Sequence, residues 1–140
     1  MTSQPLVLDT NIVLDLFVFN DAAAQPLRQG LAAARLDWLA TPPMREELAR
    51  VLAYPQIVPR LAHYRLAARD VLDGFDRQAR LVPAAPRAGV ACKDPDDQKF
   101  IDLAVAHRAL LLSKDHAVIS MKKRLAALGV RAVQAIESIA

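Results

Sequence analysis

Leu6-Val7-Leu8-Asp9-Thr10-Asn11 is a short apolar run that ends in a carboxylate and passes at once into a segment of helical pattern. In an open parallel α/β sheet, ligands bind beyond the carboxyl ends of the strands. An acid at that position points toward a binding site instead of into the core. The stretch Leu110-Leu111-Leu112-Ser113-Lys114-Asp115 repeats the pattern. We therefore expect a parallel sheet whose carboxyl edge carries acidic side chains.

Apolar segments typical of strands alternate with segments of helical periodicity along the 140 residues. This alternation predicts a three-layer α/β/α fold with a central, mostly parallel sheet, in one domain covering residues 1–140. The proline-containing stretch from Pro83 to Asp96 is predicted to be a surface loop. The predicted strands are Leu6–Leu8, Asp37–Ala40, Arg80–Val82, Ala109–Leu112 and Arg131–Gln134, and the predicted helices cover 22–35, 43–53, 61–79 (one or two helices), 97–108 and 117–128.

Composition and charge limit the classes of function. The formal net charge of +3 is compatible with a polyanionic partner such as a nucleic acid. The basic cluster Lys122-Lys123-Arg124 is equally compatible with a solvated helix face. No apolar run approaches the roughly 20 residues that cross a bilayer, and no secretory signal is visible at the N-terminus. We expect a cytoplasmic protein without a membrane partner.

Asp9 has two interpretations. An Asp that follows a strand often caps the next helix, but Thr10 and Asn11 could serve as caps and leave Asp9 free to bind a metal ion. Asn11 could then orient Asp9 by a hydrogen bond. Asp9 is therefore the first candidate metal ligand.

Glu46 and Glu47 are adjacent on a predicted helix, so only one of them can point at the site. Successive helical residues are rotated by about 100°, given roughly 3.6 residues per turn. Glu47 flanks the apolar face of Met44, Leu48 and Val51, whereas Glu46 points to solvent. Since an acid at a buried edge is costly without a cation or donor, Glu47 is the second candidate.

Asp94-Pro95-Asp96-Asp97 is a dense acidic turn that precedes a helix. Capping and the helix dipole account for one Asp at such a position, but three within four residues repel one another, and a divalent cation would compensate them. Asp97, at the helix start, is the best placed. Lys99 is a candidate for holding a phosphate or for neutralising this acidic cluster.

Asp115 is the fourth candidate, because it ends an apolar strand as Asp9 does. Ser113 could bond a metal-bound water or a phosphate, and Lys114 could contact a nucleic-acid backbone. Carboxylates from four separate segments suggest a site for Mg²⁺ or Mn²⁺ and phosphodiester chemistry.

With these motifs in order, the chain resembles PIN-domain ribonucleases, and within them the toxin branch of bacterial toxin–antitoxin systems. The resemblance spans nearly the whole chain. It implies a Mg²⁺- or Mn²⁺-dependent endoribonuclease that forms a homodimer and is inhibited by a small antitoxin. The matching segments are Val7-Leu8-Asp9-Thr10-Asn11, Glu46-Glu47-Leu48 before Val51-Leu52, Asp94-Pro95-Asp96-Asp97 with Lys99-Phe100, and Ser113-Lys114-Asp115.

Carried over by position, Asp9, Glu47, Asp97 and Asp115 match the acidic quartet of this family as catalytic residues and metal ligands. Asn11 and Ser113 match its supporting polar positions. Independently of the resemblance, Lys99 and Lys114 are candidate substrate contacts because they are basic residues beside the acidic motifs.

One departure concerns Ala117, which stands where many members of the family have another acid. The resemblance therefore does not decide between one and two metal ions. Because of this departure, the second alternative is a catalytically weak PIN-like protein that binds RNA or an antitoxin. A receiver-like signalling domain is a third alternative. It is disfavoured because Asp9 is followed by Thr10 instead of a second acid, and no strand between residues 40 and 80 ends in Asp.

Overall fold

The computed structural model describes residues 3–19 and 21–135. Within these residues, five parallel strands form one sheet. Each lies where a strand is predicted. The strands are β1 (Gln4–Leu8), β2 (Leu36–Ala40), β3 (Arg80–Leu81), β4 (Leu110–Leu112) and β5 (Ala132–Val133).

Helices connect the strands, and short 3₁₀ turns at Ala22–Ala24 and Pro95–Asp97 lead into two of them. No helix in the described part of the chain is long and apolar enough to span a membrane. The helices are α1 (Thr10–Phe17), α2 (Gln25–Ala32), α3 (Pro42–Leu52), α4 (Val58–His63), α5 (Ala68–Gln78), α6 (Gln98–His107), α7 (His116–Ile119) and α8 (Lys122–Ala127).

The strand order is β3-β2-β1-β4-β5. Right-handed crossovers then place α1 to α5 on one face of the sheet and α6 to α8 on the other, which confirms the three-layer α/β/α fold. The order also differs from the 2-1-3-4-5 arrangement of receiver-type sheets, because β1 here lies between β2 and β4. The receiver alternative is therefore wrong.

The register of the central strands positions the site. Leu8 of β1 pairs with Leu112 of β4, and the backbone N–H of Asp9 donates to the carbonyl of Leu112 at 2.9 Å. Asp9 and Ser113 therefore leave the sheet side by side, although they are 104 residues apart in sequence.

Both faces of the central strands are buried, which explains their continuous apolar runs. Leu6, Val7 and Leu111 have no exposed surface. On the α1–α5 side, the Trp38 ring meets Phe75 edge to face, with 5.2 Å between ring centroids. This core holds β1 and β4 rigidly beneath the acidic edge.

Two predicted helices differ from those in the structure. The helix predicted over 117–128 is two helices, α7 and α8, which are interrupted at Ser120 and Met121. Met121 is fully buried, and the break allows the chain to turn there. The helix predicted over 22–35 ends at Ala32, because Ala34 adopts a positive φ of 57° before β2.

Candidate metal centre

Asp9 lies at the carboxyl end of β1 and is 4 % exposed. It is itself the cap of α1, since Oδ1 accepts from the backbone N–H of Asn11 at 3.4 Å. Its other oxygen, Oδ2, accepts from the Ser113 hydroxyl at 2.6 Å. Asp9 therefore both caps α1 and lies at the acidic edge of the sheet. The sequence had suggested that Thr10 or Asn11 could cap the helix and leave Asp9 free.

Asp115 lies just beyond β4 and caps α7, with Oδ1 accepting from the backbone N–H of Ala117 at 2.9 Å. The Ser113 hydroxyl accepts from the backbone N–H of Asp115 at 3.0 Å while it donates to Asp9. Because Ser113 is fully buried, it links the two acids and does not reach solvent.

The three aspartates of the acidic turn before α6 have different surroundings. Asp94 caps the 3₁₀ turn by accepting from the backbone N–H of Asp96 at 3.0 Å, and Asp96 is exposed. Asp97 points inward and is 6 % exposed. Its Oδ2 is buried without a hydrogen-bond partner among the described residues. A buried oxygen without a donor is costly, so this position calls for a cation or a proton.

These three acids converge. Asp9, Asp97 and Asp115 each offer one carboxylate oxygen, and the three oxygens lie within 4.8 Å of one another. Burial raises the pKa of Asp97 to about 8, with further contributions from the adjacent carboxyl of Asp115 and the charges of Asp9 and Asp94. Burial also raises the pKa of Asp9, partly offset by the Ser113 hydrogen bond. Burial and the neighbouring acids therefore oppose ionisation of Asp97 and of Asp9.

Glu47 lies outside this group of three. Its Oε2 accepts from the Thr10 hydroxyl in a short hydrogen bond, and its Oε1 pairs with the Lys99 ammonium at 2.7 Å. Glu46 is exposed, so the predicted division between the two glutamates is confirmed. Lys99 thus pairs with Glu47 and with the backbone carbonyl of Asp96, not with the carboxylates of the acidic turn.

The other predicted substrate contacts lie around the rim. Asn11 is exposed at the start of α1 and reaches Asp9 through its backbone N–H. Lys114 is exposed, and its ammonium pairs with Asp15 Oδ2 at 2.5 Å. Asp15 was missed in the sequence; its signal is an acid placed among the apolar residues Ile12 and Leu16 of α1.

The loop before the acidic turn is held by two polar residues of α6 that the sequence did not single out as partners. Gln98 accepts from the backbone N–H of Cys92 at 2.7 Å and donates to the carbonyl of Val90 at 3.0 Å. Asp102 accepts from the backbone N–H of Ala88 at 2.9 Å and from Gln98 at 2.8 Å. These bonds fix the loop against the helix that presents Asp97.

The protein is thus an α/β/α domain with an all-parallel sheet and three converging carboxylates at the carboxyl edge of that sheet. The profile of the PIN domain family matches residues 5–117, so the chain belongs to this family, and the predicted family resemblance is confirmed. A search of curated proteins finds no match.

The fold is also similar to a chain in the crystal structure of VapBC2 from Rickettsia felis bound to a DNA fragment from their promoter. The TM-score is 0.62 at 15 % sequence identity, over 91 % of this chain and 98 % of that chain. At this identity the likeness concerns the fold.

Proposed function

We propose that this protein is a divalent-metal-dependent endoribonuclease, in which Asp9, Asp97 and Asp115 bind the metal ion. The observation that carries the proposal is the buried, unpartnered Oδ2 of Asp97 within a group of three carboxylates. Clustered carboxylates repel one another, and a hard cation offsets that repulsion. Membership of the PIN domain family supports nuclease chemistry at this position.

The donor set fits Mg²⁺ or Mn²⁺, since both ions prefer carboxylate oxygens. When bound, such an ion lowers the pKa of a water and offsets charge on a scissile phosphate. Asp9, Asp97 and Asp115 approach from three separate segments, so their oxygens surround one position. This arrangement supports one metal position; Ala117 supplies no carboxylate for a second.

Surrounding residues orient the acids and receive the RNA. Ser113 fixes Asp9 through its buried hydroxyl, as partners of metal ligands commonly do. Glu47, the fourth acid of the proposed site, is held by Thr10 and keeps the Lys99 ammonium at the start of α6. From there Lys99 is available to a substrate phosphate, and exposed Asn11 and Lys114 supply further substrate contacts at the rim.

We also propose that the protein is the toxin of a toxin–antitoxin pair, acts in the cytoplasm as a homodimer and is inhibited by a small antitoxin. The order of its acidic motifs supports this role, as does the fold it shares with the VapBC2 chain.

A PIN-like protein that binds RNA or an antitoxin with little catalysis is the second candidate. Ala117 favours it, because an acid is common at this position in the family. Its backbone N–H donates to Asp115 Oδ1, so the methyl side chain leaves the cap of α7 intact while it provides no ligand. This alternative predicts tight RNA binding without turnover.

Cleavage of a mixed RNA pool tests the proposal, with purified wild type, Asp9→Asn and Asp97→Asn in Mg²⁺, Mn²⁺ or EDTA. We expect cleavage in Mg²⁺ or Mn²⁺ that EDTA and both substitutions abolish. Asn retains the cap at Asp9, so that variant keeps its fold. RNA binding without cleavage by folded, antitoxin-free protein would replace the nuclease proposal with the binding alternative.

A further inference from the structure

A pocket whose lining does not include the three acids lies at the carboxyl edge of the sheet. It is a pocket of about 300 Å³ among the described residues, between α1, α2 and the ends of β4 and β5. This volume is at the small end of the range for ligand pockets, about 300–1,000 Å³, and suits a single ring system. Its walls include the apolar Ile12, Leu27 and Leu112, and its charged groups are Asp15, Asp21 and Lys114.

The pocket and the proposed metal centre are built from neighbouring residues of the chain. Lys114 lies between Ser113, which bonds Asp9, and Asp115. Ile12 lies on the first turn of α1, which Asp9 caps. Both sites therefore use the ends of β4 and α1, and RNA bound at the proposed metal centre would bring a base to this edge of the sheet.

The polar part of the pocket presents an acceptor beside a donor. Asp15 is 13 % exposed in its side chain and pairs with the Lys114 ammonium at 2.5 Å, while the Lys114 side chain is 47 % exposed. A carboxylate offers two acceptor oxygens, and an ammonium offers three donors. A ligand that matches this pair has two adjacent donors next to an acceptor.

We propose that this pocket binds a guanine base of single-stranded RNA, with Asp15 accepting from N1–H and the N2 amino group and with Lys114 donating to O6. The physiological meaning of the site rests on the proposed nuclease function. The apolar walls would enclose the faces of the ring. Protein recognition of RNA bases through their Watson–Crick edges in single strands is common.

The other bases fit this pair less well. Adenine and cytosine each place one amino group beside one ring acceptor, so they satisfy Asp15 with one bond instead of two. Uracil places its O2 acceptor against the second carboxylate oxygen, where both groups carry negative charge. Guanine alone makes all three bonds.

Binding of labelled hexanucleotides in EDTA tests the proposal, because fluorescence anisotropy then reports affinity without metal-dependent cleavage. The probes are hexauridylate and its variants with one central guanosine, adenosine, cytidine or inosine. We expect the guanosine probe to bind about tenfold more tightly than hexauridylate, in the range of a good bidentate base contact. Inosine lacks the N2 amino group and should lose part of this gain.

Two variants locate the effect. Ala23 is exposed and lines the pocket, so Ala23→Phe should fill it and remove the guanosine preference. Ala62→Phe, on an exposed position of α4, is the matched control and should keep the preference. Asp15→Asn should reduce the difference between guanosine and inosine.

Equal affinity for all probes, including no detectable binding of any, would overturn the guanine site. So would a preference that Ala23→Phe leaves unchanged. These failures are distinct from failure of the nuclease proposal: a guanosine preference in EDTA without cleavage in Mg²⁺ or Mn²⁺ removes the nuclease and keeps the pocket. Metal-dependent cleavage with equal probe binding does the reverse.

Discussion

Aspartates in two regions of this molecule have opposite electrostatic surroundings. At the carboxyl edge, Asp9, Asp97 and Asp115 face one another, and burial raises the pKa of the first two. Elsewhere, Asp37 and Asp76 each accept two hydrogen bonds from one arginine, which lowers their pKa values. The second group is neutralised within the chain, whereas the first leaves a charge that an external cation can neutralise.

The comparison separates aspartates that an arginine neutralises from aspartates whose ionisation is opposed by burial. The Arg45–Asp76 pair joins α3 to α5 with distances of 2.7 and 2.8 Å, on side chains that are 37 % and 42 % exposed. Exposed pairs of this kind contribute little. Burial of Asp9 and Asp97, by contrast, disfavours their charged forms. The proposed metal-binding role accounts for their position.

The largest expected difference between the two regions is in RNA cleavage. Asp115→Asn should lower the cleavage rate at least about a hundredfold, because even the loss of a residue that merely supports a ligand costs 10–100-fold. Asn keeps the cap of α7, so the circular dichroism spectrum should be unchanged. Asp76→Asn is the matched control and should cleave at close to the wild-type rate. Equal rates for the two variants would contradict the assignment of Asp115.

The second difference is in the pH dependence of stability without metal. The folded protein keeps a proton on Asp97 up to a pKa of about 8, whereas the unfolded chain loses it near 3.8. Ionisation therefore favours the unfolded state, and this contribution to the free energy of unfolding falls as pH rises between these values.

Thermal unfolding in EDTA at pH 5.5 and 8.5 measures this effect. At pH 8.5 we expect Asp97→Asn to unfold at a temperature about 5 °C or more above wild type, and the gap should narrow at pH 5.5. A variant less stable than wild type at pH 8.5 would show that the Asp97 carboxylate is neutralised within the chain.

A smaller effect concerns the support of Asp9. Ser113→Ala removes the hydroxyl that donates to Asp9 at 2.6 Å, and the affinity for Mn²⁺ should fall about 10–100-fold. Ser120→Ala provides the control, because Ser120 is exposed and its hydroxyl donates to the carbonyl of Ala117. Isothermal titration in Mn²⁺ measures both affinities. An unchanged affinity in Ser113→Ala would remove Ser113 from the site.

The smallest effect on stability is expected at Asp76, which is paired with Arg45. Asp76→Asn should lower the free energy of unfolding by at most about 1 kcal/mol, as is typical of exposed ion pairs. Urea unfolding at low and high salt gives the value, and salt should reduce the difference from wild type. A loss of several kcal/mol would mean that this pair is structural after all.

Local sequence pattern was sufficient to predict much of the fold. Apolar runs ending in acids identified β1 and β4, and the helix predicted to end at residue 128 ends at Ala127, just before Gly129 with its φ of 82°. The break between α7 and α8 was not predicted, because the apolar spacing continues through the buried Met121. Periodicity reports which face is buried but not whether the helix axis turns.

Three of the four acids that the sequence singled out converge in the structure. The fourth, Glu47, lies outside this group. Strand ends indicated Asp9 and Asp115, and helix-start density indicated Asp97. The pairing of Lys99 with Glu47, 52 residues away, depends on how α3 and α6 approach each other, which spacing does not encode. For the same reason, the contact between Asp15 and Lys114 could not be predicted from the sequence.

Titration of Mn²⁺ into wild type and Asp97→Asn at pH 8.5, followed by isothermal calorimetry, tests the central claim most directly. The account predicts a site in wild type that Asp97→Asn loses or weakens at least about a hundredfold, while metal-free Asp97→Asn is the more stable protein. Equal Mn²⁺ affinity in the two proteins, or no binding by folded wild type, would contradict the claim that these buried carboxylates form a cation site.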